Sequence, residues 1–128
     1  MSQFTAQSLF DTIAAHLLSQ GKKALTSDGT VCRYRGTAGT SCAVGCVIPN
    51  KLYTEDLEGE SVGSMLTHAA SGTFSAPLNA FLLNDLGPHR DLLRELQYLH
   101  DEISVDLWKE ELPHVAVQFN LNLPEVLQ

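Results

Sequence analysis

A chain of 128 residues with 44% hydrophobic and 18% charged residues has enough apolar material for one core and no excess that calls for a membrane. No apolar run approaches the ~20 residues of a membrane span. The net charge of −7 disfavours the phosphate backbones of nucleic acids.

The opening stretch, MSQFTAQSLFDTIAAHLL, has no basic start and carries Asp11 within its apolar pattern, so it is not read as a secretory signal. Three cysteines leave one over from any pairing, which argues against a disulfide scaffold and for a reducing, cytoplasmic setting. The charge is divided. Residues 1–50 hold four basic and two acidic side chains, whereas residues 51–128 hold four basic and thirteen acidic ones. Such a surface would attract a protein partner with a basic face, while solubility alone is the plainer and preferred reading.

In chain order, Phe10, Ile13, Ala14, Leu17 and Leu18 form one helical stripe. Thr5 is the predicted N-cap, Phe4 and Leu9 have the spacing of a hydrophobic staple, and Gly21 ends the helix. Turn signals at 27–29 (SDG) and 36–39 (GTAG) bracket TVCRYR, which reads as a strand or extended segment. Its return limb begins near Ser41. The alternative there is a helical turn capped by Ser41 that ends before Pro49.

Short helices are expected from 50 to 87: one from Asn50 to about Leu57, one capped by Ser61 and stopped by Gly72, and one begun by Pro77 and closed by Gly87. A long helix follows from Pro88, with Leu92, Leu93, Leu96, Leu99, His100 and Ile103 on one face. Ser104 caps a further helix that includes Trp108 and Leu112, and Pro113 breaks or kinks it. The segment 114–123 alternates like a strand. It also fits a helix that begins at Pro113 and ends at Asn120 in a left-handed conformation, and the helix is preferred. The expected fold is mainly α: a compact single helical domain, 1–128, with a short β-hairpin or extended segment near 30–47.

The cysteines carry the chemistry. All three lie within fifteen positions, and Cys42 and Cys46 would share one face of a helical turn. With Cys32 from the neighbouring segment and His100 as the fourth ligand, or His68 as second choice, they would make a tetrahedral zinc site. No other cofactor is indicated. Packing as small buried hydrophobes is the plainer alternative for all three. Cys42 with His100 is a candidate nucleophile and base. However, neighbouring residues on a helix point about 100° apart, so Asp101 is not expected to orient the His100 ring. Arg33 and Arg35 flank Tyr34 and, on a strand, would share one face able to take an anion or a partner's carboxylate. Pairing with the acidic second half is the preferred alternative for them. Trp108 and Tyr98 read as core anchors or as marks of a partner-binding face. Glu58 and Glu60 are read as surface-loop residues.

The residues CRYRG (32–36), CAVGCVIP (42–49) and LQYLHD (96–101) resemble a group of small bacterial and phage proteins that share a C-x-YRG, CAxGCxIP and LQxxHD pattern. The resemblance spans roughly 4–119. The group brings no catalytic or binding residues with it, and it implies an accessory protein, bacterial or phage-encoded, that acts by binding a host protein. The expected function is therefore non-enzymatic: binding or regulation of a protein partner, with the cysteine segment as a structural clamp. A zinc module and a cysteine-dependent hydrolase or transferase are the alternatives.

Overall fold

The structure, a computed structural model, describes residues 4–128 and is mainly helical. Helix α1 spans Ala6–Gln20, α2 Val62–Ala70, α3 Ala76–Phe81, α4 Arg90–Glu102 and α5 Trp108–Gln118. Thr5 caps α1 reciprocally with Ser8, and Gly21 closes it at φ 66°. Ser61 caps α2 and Ser75 caps α3, each accepting from a backbone amide three residues on. These capped starts explain why polar-then-apolar patterns fix the helices where they stand. Helix α3 runs on into a wide π-type turn, Leu82–Leu86, before the turn Gly87–His89 leads into α4.

One face of every helix meets a shared core. Leu9, Phe10, Ile13 and Leu17 of α1, Met65 of α2, Leu93 and Leu96 of α4, and Trp108 and Leu112 of α5 are all buried. Pro113 lies inside α5 and does not end it. The buried face of Trp108, Leu112, Val115 and Ala116 outweighs the ~3 kcal/mol that an interior proline costs. The segment beyond it is helical, as preferred. Asn120 turns left-handed at φ 59°, and the Leu121 amide donates back to the Ala116 carbonyl at 2.8 Å. Ser104 marks a real break, since α4 ends at Glu102 and the turn Val105–Leu107 opens α5.

The β-hairpin near 30–47 is not formed. Two isolated antiparallel bridges, Leu25 with Cys32 and Arg35 with Ser41, are what the described residues hold in its place. The reason lies in where the amides go. Tyr34 and Arg35 donate their N–H groups to the Glu58 carboxylate, at 2.9 and 3.1 Å, instead of to a neighbouring strand. The return limb is not a strand, and Ser41 does not cap the turn that replaces it. Ser41 pairs with Arg35, and a helical turn follows at once, with the Cys46 amide donating to the Cys42 carbonyl at 3.1 Å and a 3-10 turn over Gly45–Val47.

This turn seats directly on Tyr34. A Cβ at Gly45 would lie 2.0 Å from the Tyr34 carbonyl oxygen, which is backbone and has no free end to swing away. Gly45→Ala is therefore expected to destabilise by roughly 2–4 kcal/mol. Gly63→Ala, on α2 with nothing within 4 Å of the new Cβ, should be neutral or stabilising by up to ~1 kcal/mol. Urea denaturation of the two variants checks the contrast. Equal effects would show that the contact at Gly45 relaxes freely.

Candidate functional site

The site forms where the stretch between α1 and α2 lies against the last turns of α4. His100 is fully buried, and its ring lies 5.7 Å from that of Trp108. The backbone N–H of Ala24, 76 residues away in sequence, donates to Nε2 at 3.0 Å. Nε2 is thus an acceptor, and the ring proton sits on Nδ1, which donates to Asp101 Oδ1 at 2.7 Å. Asp101 does orient the ring, against the expectation from helical geometry. At the C-terminal turn of α4 its short side chain folds back over its neighbour. Gln97, one turn earlier, donates to the same carboxylate oxygen at 2.9 Å and accepts from the Val44 amide at 3.0 Å. Lys23 donates to the Asp101 carbonyl at 3.0 Å, where the negative end of the α4 dipole faces a cation.

Cys32 joins this group. Its sulfur, a His100 nitrogen and an Asp101 oxygen all lie within 4.8 Å of one another. The predicted ligand set is brought together only in part, because Cys42 and Cys46 fall outside this cluster. Cys42 is fully buried, and its sulfur accepts from the Gly45 amide at 3.3 Å. Cys46 donates to the Ala43 carbonyl at 3.1 Å. His68 is elsewhere, on α2 beside Glu60 at 3.3 Å. His100 also has both ring nitrogens engaged. Binding a metal through Nδ1 would require a hydrogen on Nε2, facing the Ala24 N–H.

The thiols are held protonated. Burial pushes Cys42 far above the ordinary thiol range. Burial also raises Cys46 to about 12, with Arg35 opposing. Cys32 is raised to about 11, first by burial and then by the charge and hydrogen bond of Asp101. These shifts run opposite to what an activated nucleophile needs, and the Cys42–His100 pairing considered from sequence is not assembled.

The arginines are engaged internally. Arg33 makes an ion pair with Glu55 at 2.7 Å and lies 3.6 Å from Glu58. Arg35 donates to the carbonyls of Gly45 and Ile48 and to Asn50 Oδ1, at 3.1, 2.5 and 2.7 Å, and stacks over Tyr53 at 5.0 Å. Glu58, read from sequence as a surface residue, is 11% exposed and accepts from two backbone amides and the Tyr53 hydroxyl. Trp108 is fully buried, its Nε1 donating to the Ile103 carbonyl at 3.0 Å, so it is a core anchor and presents no surface to a partner.

Above Cys32 and Asp101 opens a groove of about 680 Å³ between residues 30–34, residues 58–62 and the outward side of α4. Val31 and Tyr98 on its margins are 56% and 59% exposed. Tyr98 is the one sequence-level candidate for a partner face that stands in the open. Its charged lining is five acidic residues against two basic ones. No described helix is long and apolar enough to cross a membrane. A scan against protein-family models matches none, and searches of curated proteins and of solved structures return no match.

Two measurements follow from Cys32. Its raised thiol means that alkylation by iodoacetamide at pH 8 should be about 100-fold slower than for a thiol at the ordinary value of 9.0. Asp101→Ala should speed it, since the carboxylate is the second cause of the rise. The folded state also holds this proton more tightly than the unfolded chain. Its stabilising effect is full below the ordinary thiol pKa and is lost as pH climbs towards about 11. Chemical denaturation from pH 8 to 11 should thus show a steeper decline for the native chain than for Cys32→Ala. Parallel declines would place the effect elsewhere.

Proposed function

We propose that this protein is a non-enzymatic binding domain that takes a protein partner in the groove between the Cys32 segment and α4. The observation that carries the reading is the contrast between margin and floor. Val31 and Tyr98 stand more than half exposed, while Arg33, Glu58 and Asp101 on the groove lining already serve as donors, acceptors or ion-pair partners within the fold. Exposed aromatic side chains at a concave, partly apolar surface are what partner-binding sites employ. The surplus of acid along the groove suits a basic partner surface, as the overall charge does. An accessory role of the kind the bacterial and phage resemblance implies is in keeping with this.

A second reading, a zinc-stabilised module, draws on the proximity of Cys32, His100 and Asp101. It needs the His100 ring to change tautomer and the Ala24 amide to turn away. Elemental analysis of protein purified without chelators is expected to find no stoichiometric zinc, and one zinc per chain would favour the module.

The binding reading is tested by photo-crosslinking from position 98 and, as control, from position 117 on α5, whose valine is 80% exposed and lies outside the groove. Adducts should form from position 98. The purified partner should bind at least ~10-fold more weakly to Tyr98→Ala and with unchanged strength to Val117→Ser. A partner indifferent to Tyr98→Ala and Val31→Ser would remove the groove from the account.

A further inference from the structure

The binding mode can be read from the backbone at Cys32. The two hydrogen bonds that hold its bridge to Leu25 run from the Thr26 amide to the Val31 carbonyl and from the Arg33 amide to the Ala24 carbonyl, at 2.8 and 2.9 Å. This is the pattern of a non-hydrogen-bonded antiparallel pair, in which the paired residues turn their own N–H and C=O groups away from each other. The outward edge of Cys32 thus offers a donor and an acceptor, and neither has a protein partner among the described residues. Two residues on, the Tyr34 amide points to the same edge and is taken by Glu58. At Cys32 no side chain takes that place, and residues 30–34 there form one wall of the groove.

We infer that the partner enters as an extended, basic segment that pairs main chain to main chain with Cys32. This rests on the protein-binding reading above and names its occupant. An added residue opposite Cys32 would exchange two hydrogen bonds with it, completing the edge that the missing hairpin strand leaves open. Alternate side chains of such a segment would lie towards α4, where Glu95 and Glu102 line the groove with Asp101 behind them and Arg94 is the basic counterpart. Lysine or arginine at those positions matches this charge, while a residue between them turns to the opposite face, where an apolar side chain matches Val31. Main-chain pairing sets the register, and the side chains select the sequence.

The probe is a capped seven-residue peptide of alternating valine and lysine, titrated into the isotope-labelled full chain and followed by NMR. The expected result is a downfield shift of the Cys32 amide, with its hydrogen exchange slowed ~10-fold or more at saturation. N-methylation of the central peptide residue should weaken binding ~10-fold. Replacing lysine by glutamate should abolish it, and added salt should weaken it. Shifts at Tyr98 and Val31 without protection at Cys32, or indifference to N-methylation, would overturn strand pairing and leave the binding groove standing. No shift at any groove residue, with this peptide or with a basic amphipathic helical one, would overturn both.

Discussion

The hydrogen bond from the Ala24 amide to the buried ring of His100 is the constraint on which the arrangement depends. It joins an irregular stretch that follows α1 to a helix 76 residues later, and it fixes which nitrogen of the ring holds the proton. An unpaired buried amide costs about 1–3 kcal/mol, so the two elements are strongly held in this register. Trp108 supports the ring from α5, and Asp101 accepts the hydrogen bond from its Nδ1–H. The position of Cys32 beside the carboxylate and the opening of the groove above both follow from that register.

Two carboxylates organise what a β-sheet would otherwise have organised. Asp101 gathers His100, Gln97 and the Cys32 thiol. Glu58 gathers the amides of Tyr34 and Arg35 and the hydroxyl of Tyr53. Each satisfies several donors at once, as an ionised carboxylate with its four acceptor positions can. The arginines brace the loop, Arg33 through Glu55 and Arg35 through three carbonyl-type oxygens. Arg33 offsets Glu58 within the groove lining, and Glu95 and Glu102 on the α4 side have Arg94 as their basic counterpart.

Much of the helical frame was legible in the sequence, because capping residues and apolar stripes act locally: Thr5, Ser61 and Gly21 mark boundaries found in the structure. The inward face of α4 marked His100 as a core residue, and of the three cysteines expected around it the structure brings Cys32. The rest depended on contacts that no local pattern encodes. Cys42 and Cys46 belong to a turn that points its sulfurs at its own backbone, so spacing alone suggested a shared ligand that does not assemble. Asp101 was set aside on ideal helix geometry, although a short side chain in a final turn can reach its neighbour. Glu58 sits in a loop without periodicity, and only the three-dimensional placement of the Tyr34 amide gives it a task. Gly45 shows its necessity only beside the Tyr34 carbonyl.

The stretch between α1 and α2 is braced from within by Arg33, Arg35 and Glu58, and it is tied to α4 where Gln97 and His100 accept from the amides of Val44 and Ala24. Those two ties reach across 53 and 76 residues, so neither can close until α4 is present, and both open together when its last turns loosen.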